Sequence, residues 1–259
     1  MPAQPGVPAL VALVVLVLLA VAASALGRLA RERAIAVASV RAVVQLAVVS
    51  LVIAFVLRST WWSLAFAAVM FAIAVVTTTR RIEVPRAWPW AALAMGAGVV
   101  PVLLVIFVSG AVPFNGPSFV PFAGIVIGGA MNAHSLAGRR TIAALRDQHD
   151  IYEAGLALGM YPSQAIDVVA LRLVPEALVP GMDQTRTVGL VTLPGAFVGV
   201  LLGGGTPVQA GTAQVLVLVG LLAAQTICVT VAYQLMRTGR LLPADLARSA
   251  RAPGSGRAR

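Results

Sequence analysis

Residues 150–175 read DIYEAGLALGMYPSQAIDVVALRLVP and form the longest polar interruption in an otherwise apolar chain. Asp150 is suited to cap the start of a helix, and Glu153, three residues later, would complete a capping box. Gly159 favours a helix stop, and Pro162 cannot continue the helix. The pattern therefore predicts a short helix that ends in a glycine turn.

A second short helix is predicted directly after this turn. Ser163 is suited to cap its start, and the helix should end or kink before Pro175. These local signals leave two interpretations open. The stretch is either a helical hairpin that lies on a membrane surface without a partner, or a helical element that docks onto another protein.

The spacing of this stretch resembles the EAA loop of ABC-transporter permeases, whose usual form is E-A-A-x3-G-x9-I-x-L-P. Two positions depart from that form, because Gly155 is the third motif residue and Arg172 stands where proline is usual. In that family the loop forms two short helices that dock in a groove of a separate ATPase subunit. The resemblance implies an ATPase-coupling element made of Glu153, Ala154, Gly155, Leu158 and Gly159.

The composition places the whole chain in a membrane. Of its 259 residues, 59% are hydrophobic and 11% are charged, which is unlike an ordinary soluble domain. Several apolar runs reach the roughly 20 residues that a helix needs to cross a bilayer. We therefore predict an all-α polytopic membrane protein with a single membrane domain.

Seven membrane-spanning helices are expected from the apolar runs. The predicted spans are residues 7–26, 34–57, 61–77, 90–108, 119–137, 187–202 and 213–236. Between the fifth and sixth spans lies a helical cytoplasmic coupling loop at about 138–186, and a basic tail follows at 237–259. Whether the glycine-rich fifth span crosses fully or is broken stays open.

The positive charges predict the orientation of the spans. The net charge is +10, and the arginines cluster at the ends of the apolar runs rather than in a nucleic-acid-binding patch. Arginine-bearing loops face the cytoplasm in membrane proteins. This places the N-terminus outside and the C-terminus inside, and only Arg58 among 19 arginines falls outside. We expect a multi-pass protein of the cytoplasmic membrane that binds no nucleic acid.

The chain contains no lysine, and it therefore lacks the G-x4-G-K-[ST] motif of a conventional ATP site. If ATP drives the protein, ATP and Mg must bind to a partner subunit, and this chain holds no cofactor and is not itself an enzyme. The single cysteine, Cys228, lies in an apolar run, where a buried and inert thiol is expected.

Polar residues within the spans are candidates for a substrate path or gate. Arg41 and Gln45 lie one helical turn apart, so they share one face of the second span. Arg41 is close enough to the cytoplasmic end for its side chain to snorkel instead. Asn132 should point into the protein, because an amide facing lipid is costly. With Gln214, these residues form the predicted path or gating set.

Two stripes of small residues predict close helix packing, either within one chain or between chains. The first is Gly124 and Gly128 in the fifth span, and the second is Gly195, Gly199 and Gly203 in the sixth. No metal site is predicted. His134 is expected near the cytoplasmic interface, solvated rather than bound to a metal.

Nearly the whole chain resembles the FetB-like permeases, an ABC family named for iron export that includes plant aluminium-tolerance membrane subunits. The resemblance is carried by SVRAVVQL at 39–46, GIVIGGAMNAHSL at 124–136, EAGLALG at 153–159 and TRTVGLVTLPG at 185–195. It implies a homodimer of permease chains with two ATP-binding subunits, exporting iron or another metal ion. Gly129, Ala196, Phe197 and Val200 depart from the family pattern, and they lie within spans.

Other functions stay open at this stage. The chain could be an ABC permease for a different small solute, or a non-transporting membrane scaffold that docks a cytoplasmic ATPase. A secondary transporter is less favoured, because such proteins often carry acidic residues at mid-membrane. No Asp or Glu lies clearly inside a predicted span.

Overall fold

The computed structural model describes residues 6–251, with the side chains of 6–247. Within this range the chain is all-α and forms no β-strand, as predicted. Short 3-10 helices occur at Pro85–Ala87 and Val174–Leu178. The α-helices are α1 Val7–Leu26, α2 Glu32–Val56, α3 Thr60–Arg81, α4 Trp88–Val108, α5 Gly116–Asp147, α6 His149–Ala157, α7 Pro162–Ala170, α8 Val179–Thr187, α9 Gly195–Leu202, α10 Pro207–Arg237 and α11 Ala244–Arg251.

Six helices in the described part of the chain are long and apolar enough to cross a membrane, namely α1 to α5 and α10. Each overlaps one of the predicted spans, and the first agrees at both ends. The chain is thus a multi-pass membrane protein.

The predicted sixth span at 187–202 needs correction, because it is not one helix. Its only regular helix is α9, whose eight residues extend about 12 Å, well short of a bilayer core of roughly 30 Å. Gly189 has φ 80° and its N–H donates to the carbonyl oxygen of Thr192 at 2.9 Å. Pro194 then precedes α9. Apolar composition predicted a span here, but the glycine and proline break the backbone.

The predicted fifth span is a continuous helix that is longer than expected. α5 covers Gly116–Asp147, so residues 138–147 of the predicted cytoplasmic loop belong to it. Its start is capped by Asn115, whose Oδ1 accepts the N–H of Ser118 at 3.0 Å. Pro121, one turn inside α5, does not interrupt the helix.

The predicted basic tail at 237–259 is partly ordered structure. α10 ends at Arg237, the chain turns at Gly239 with φ 69°, and α11 follows. The side chains of Leu241 and Leu242 are buried, so this turn is anchored. Residues 252–259, where the tail was expected to be disordered, lie outside the described residues.

The chain divides into two compact units, and the first ends at Arg58. In this unit α1 and α2 form a helical hairpin closed by polar contacts near its loop. Ser24 donates from Oγ to Glu32 Oε1 at 2.8 Å and accepts the N–H of Arg31 at 3.3 Å. Most other side chains of the two helices are apolar and exposed, as expected for surfaces that meet lipid or protein.

The second unit, from Ser59 onward, is built around α10, which packs against α4 and α5. Small residues recur every fourth position on one side of α10, at Gly220, Ala224, Cys228 and Ala232. A Cβ added at Gly98 of α4 would collide with the carbonyl oxygen of Ala224. The two backbones therefore approach as closely as small residues allow.

Of the five glycines that were predicted to pack helices, Gly124 faces another helix of the described chain, and the other four do not. A Cβ at Gly124 would meet only Met70 Cε, at 3.0 Å, and one at Gly203 would meet only its own helix turn. At three further positions no atom lies within 4 Å of an added Cβ, namely Gly128, Gly195 and Gly199. Gly124 therefore packs α5 closely against Met70 of α3, whereas the other four glycines do not join helices within the described chain, and their packing between chains stays a prediction.

Replacing Gly98 by alanine should destabilise the protein, because its Cβ would overlap the backbone of α10. Overpacking of this kind costs roughly 1–3 kcal/mol. Gly211→Ala in α10 is the matched control, since the space there is open and alanine is the better helix former. We expect thermal melting in detergent to show a lower Tm for Gly98→Ala only. Equal melting temperatures would contradict the described packing.

Cys228 should resist a maleimide reagent until the protein is denatured. Its side chain is 0% exposed, and its Sγ lies 3.8 Å from the carbonyl oxygen of Ala130. A Leu29→Cys change in a Cys228→Ser background provides the exposed control, because Leu29 is 64% exposed. Mass spectrometry after labelling checks the result. Native Cys228 reacting as fast as the control would refute its burial.

Candidate functional site

The predicted pair of short helices is present as the hairpin formed by α6 and α7. α6 ends in a glycine turn, where Gly159 has φ 88°. The N–H of Gly159 donates to Leu156 O at 3.0 Å, and the N–H of Met160 donates to Gly155 O at 3.1 Å. These two bonds satisfy the last carbonyls of α6 in a Schellman motif. The glycine turn predicted from the sequence is therefore confirmed.

The starts of the two helices differ from the prediction. α6 begins at His149, so Asp150 lies in its first turn and does not cap it. α7 begins at Pro162, and its N-cap is Tyr161 rather than Ser163. Gln164 Oε1 accepts the N–H of Tyr161 at 2.9 Å. Proline favours the first helical position, which moves the cap one residue upstream of it.

Gly155 has a packing role that explains its departure from the usual EAA form. A Cβ at this position would lie 3.3 Å from both Ala165 Cβ and Met160 Sδ, where α6 crosses α7. The hairpin is therefore closed tightly at Gly155. Glu153 and Ala154 lie on the exposed side of α6, and the Glu153 carboxylate is 3.6 Å from His149 Nε2.

The two sides of the hairpin have different surroundings. One side of α7 is buried against α5 and α10 through Ala165, Ile166, Val169 and Ala170. The tip, in contrast, is apolar and uncovered, since Leu158 is 81% exposed and Tyr161 74% exposed. The hairpin is thus anchored on the helix bundle and presents an apolar tip outward.

A polar contact that the sequence did not predict joins α7 to α10. Asp167 Oδ1 accepts the hydroxyl of Tyr233 at 2.7 Å, and Asp167 Oδ2 lies 2.7 Å from Arg237 Nη2. The residues are too far apart in sequence for local spacing to indicate the contact, because Asp167 and Tyr233 are separated by 66 positions.

Several arginine-bearing segments of the second unit meet at one end of it. Arg146 Nη2, at the end of α5, lies 2.9 Å from Glu83 Oε2 and 3.3 Å from Asp245 Oδ2. Arg240, beyond α10, lies over the ring of Trp90 at 4.6 Å from its centroid. We call this end the arginine-rich end.

A discontinuous segment, residues 174–202, runs along α10 from its Arg237 end towards its Pro207 end. Leu178 and Val229 line the same cavity. Further along, Gly181 contacts the Gln225 side chain so closely that a Cβ would collide with it. Near the far end the N–H of Phe197 donates to Gln214 Oε1 at 3.3 Å. The segment therefore begins before the predicted start at 187, and follows α10 without being one helix.

A cavity of about 730 Å³ lies where this segment meets α5 and α10. Its wall is mostly apolar. The polar side chains in the wall are Ser118, Gln184 and Gln214. Gln214, one of the predicted path residues, is therefore part of the cavity, whereas Gln184 was missed because it lay in the predicted cytoplasmic loop.

The other predicted path residues lie elsewhere. Asn132 was expected to point into the protein, but its side chain is exposed on α5, where its Oδ1 accepts a hydrogen bond from Arg81 Nη1 at 3.3 Å. The buried side of α5 carries Ala130 and Ala133 instead. Arg41 and Gln45 share one exposed face of α2 in the first unit, as their spacing predicts.

His134 is buried rather than solvated, which corrects the sequence-based expectation. Its Nδ1 lies 2.8 Å from Thr78 Oγ1, and the same hydroxyl lies 2.8 Å from Ser135 Oγ. This polar group joins α3 to α5 inside the bundle. Thr78 lies near the end of an apolar run, and nothing in its local sequence indicated a contact with His134.

Comparison with known proteins places the chain in a family. A family model described as an uncharacterised protein family, UPF0014, matches residues 7–239. The probable iron export permease protein FetB of Escherichia coli K12 is 32% identical over 214 residues, which are 79% of this chain and 80% of FetB. ALUMINUM SENSITIVE 3 of Arabidopsis thaliana is 30% identical over 190 residues, 72% of this chain and 70% of that protein.

A UPF0014 membrane protein of Synechocystis is 34% identical over 197 residues, which are 72% of this chain and 75% of that protein. No solved structure matches the chain. The resemblance to the FetB-like permeases is confirmed by these relatives, and the chain belongs to the UPF0014 family of membrane proteins.

Proposed function

We propose that this chain is the permease subunit of an ABC transporter, driven by ATP hydrolysis on a separate subunit. The observation that carries the proposal is the α6–α7 hairpin, which is anchored on α5 and α10 and presents an uncovered apolar tip. Leu158 and Tyr161 flank the Gly159 turn. Covering them would remove apolar surface from water, at about 25 cal/mol per Å².

The partner that fits this tip is an ATP-binding subunit with an apolar groove, since short helices bind grooves through such anchors. The ATP and Mg sites belong to that partner, because this chain has no lysine for a P-loop. The chain alone is then not an enzyme. The α6–α7 hairpin lies at the arginine-rich end of the bundle. Because arginine-bearing ends face the cytoplasm, this supports a cytoplasmic C-terminus and an N-terminus outside.

The cavity and the broken segment beside it support transport rather than scaffolding. Irregular backbone at membrane depth is tolerated only where protein or a water-filled space surrounds it. The break at 188–194 adjoins a cavity of about 730 Å³ at Pro194, but Leu190, Val191 and Leu193 are exposed on this chain. The proposal therefore requires a further protein surface, such as a second copy of the chain, to cover the break. The Escherichia coli relative is named a probable iron export permease, so exported iron, or another metal ion, is the first cargo to test. Another small solute is the alternative.

A second copy of the chain completes the proposed transporter. Gly128, Gly195 and Gly199 have open space around them, and small residues allow helices of two chains to approach closely. Asn132 lies on the same exposed side of α5 as Gly128, and an amide would be costly there in lipid. Pairing through this side would remove both groups from lipid, in the cell membrane that this proposal assigns to the protein.

Changing Leu158 to glutamate should abolish binding of the ATP-binding subunit, because a charge would replace the most exposed apolar side chain of the tip. Leu29→Glu is the matched control, since Leu29 is also an exposed leucine but lies outside the hairpin. Both variants are purified from native membranes, and co-purified ATPase is quantified. The proposal fails if no ATP-binding subunit accompanies the folded parent, or if both variants retain it equally.

Changing Gln214 to alanine should lower transport about tenfold while leaving the ATP-binding subunit bound. The change leaves the Phe197 N–H without its partner and alters the cavity wall, and an unsatisfied buried donor costs about 1–3 kcal/mol. Thr212→Ala is the control, because its hydroxyl bonds only its own helix, at Val208 O. The assay is ATP-dependent movement of ferrous ion in proteoliposomes. Equal transport rates for both variants would show that Gln214 is not part of the transport path.

A further inference from the structure

We propose that Asp167, Tyr233 and Arg237 form the link through which the α6–α7 hairpin moves α10. This inference rests on the proposed function and adds the residues that carry the motion into the membrane. We call the three side chains the Asp167 link. They act by positioning α10, and none of them needs to touch ATP or cargo.

The geometry of the Asp167 link holds two helices in one register. A single carboxylate uses both oxygens, one for the Tyr233 hydroxyl and one for Arg237, each at 2.7 Å. Tyr233 and Arg237 are four residues apart, so they lie on the same face of α10. One directed hydrogen bond and one ion pair on the same carboxylate oppose the sliding that the surrounding apolar contacts would allow, so we expect α7 and α10 to move together.

The Asp167 link is also the best shielded ion pair in the described part of the chain. The side chains of Asp167 and Arg237 are 25% and 29% exposed, whereas both partners of every other described pair are 40% exposed or more. Exposed ion pairs contribute little, because water and salt screen them. Because the pair is partly buried, removing one partner costs free energy by leaving the other charge unpaired. Such a pair is suited to keep two helices together while they move.

Movement of α10 at this link would reach the cavity. Tyr233 and Gln214 belong to the same unbroken helix and are separated by about 28 Å along its axis. Between them, Gln225 Nε2 donates to Gly129 O at 3.3 Å, and Gln225 contacts Gly181 of the discontinuous segment. A displacement of α10 would therefore shift its contacts with the broken segment and change the shape of the cavity wall.

The test uses the assembled transporter and a reporter that is independent of the cargo. Thr212, an exposed residue of α10 next in sequence to the cavity-lining Ala213, is changed to cysteine in a Cys228→Ser background, and its maleimide labelling is measured with and without ATP. We expect ATP to change the labelling rate in this parent. Asp167→Asn should abolish the change while the ATP-binding subunit stays bound and continues to hydrolyse ATP.

Two further variants separate a positioning role from a merely structural one. Asp167→Arg combined with Arg237→Asp should restore part of the ATP-dependent change, because the ion pair is rebuilt in reverse. Asp245→Asn is the matched control, since it breaks an exposed aspartate–arginine pair at the same end, with Arg146 of α5, and leaves the three side chains of the Asp167 link intact. It should leave the response at the level of the parent.

The outcomes distinguish this inference from the proposed function. If no ATP-binding subunit accompanies the parent, the proposed function fails. If the subunit binds and Asp167→Asn keeps the full ATP-dependent change, the Asp167 link is wrong. Loss of the subunit from Asp167→Asn would also overturn it, by assigning Asp167 to docking. Should Asp167→Asn not fold, Tyr233→Phe removes only one donor, and an undiminished response in that variant would refute the link.

Discussion

The close approach of α4 and α10 is the constraint on which the second unit depends. Gly98 allows the backbone of α10 to come within contact distance at Ala224, and a column of small residues on α10 extends that contact. In a bilayer, helices cannot rely on water to drive them together, so close backbone contact and interhelical hydrogen bonds must hold them. With α10 held against α4 in this way, α5 packs on the neighbouring face of α10, with Gly129 against Leu221 and Gln225.

The two candidate functional regions follow from the central position of α10. At its arginine-rich end, α10 contacts the α6–α7 hairpin through buried apolar residues and through a hydrogen bond to Asp167. Its opposite half forms the cavity with α5 and α9. The discontinuous segment contacts α10 at Gly181 and at Phe197, whereas Leu190 and Val191 in its break are exposed. One helix therefore contacts both the proposed docking element and the proposed path.

The candidate site was only partly readable from the sequence. The glycine turn at Gly159 was predicted, because left-handed backbone at a helix end has a local signature. Gln214 was singled out as a polar residue in a span and does line the cavity, whereas Asn132 lies on the surface. Gln184 and Asp167 were missed. Their roles come from partners on other helices, and no spacing within one chain encodes which helix faces meet.

The sequence by itself determined the all-α membrane class, six of the spans to within a few residues at most ends, and the hairpin turn. Each of these follows from local physics, namely apolar length, proline and glycine geometry, and charge at helix ends. The break in residues 187–202 has a local cause, Gly189 and Pro194, which the apolar composition masked. Tertiary structure alone decided that His134 is buried and which glycines bring helices together. These outcomes depend on the atoms that each residue meets across the bundle, and a single sequence does not specify those atoms.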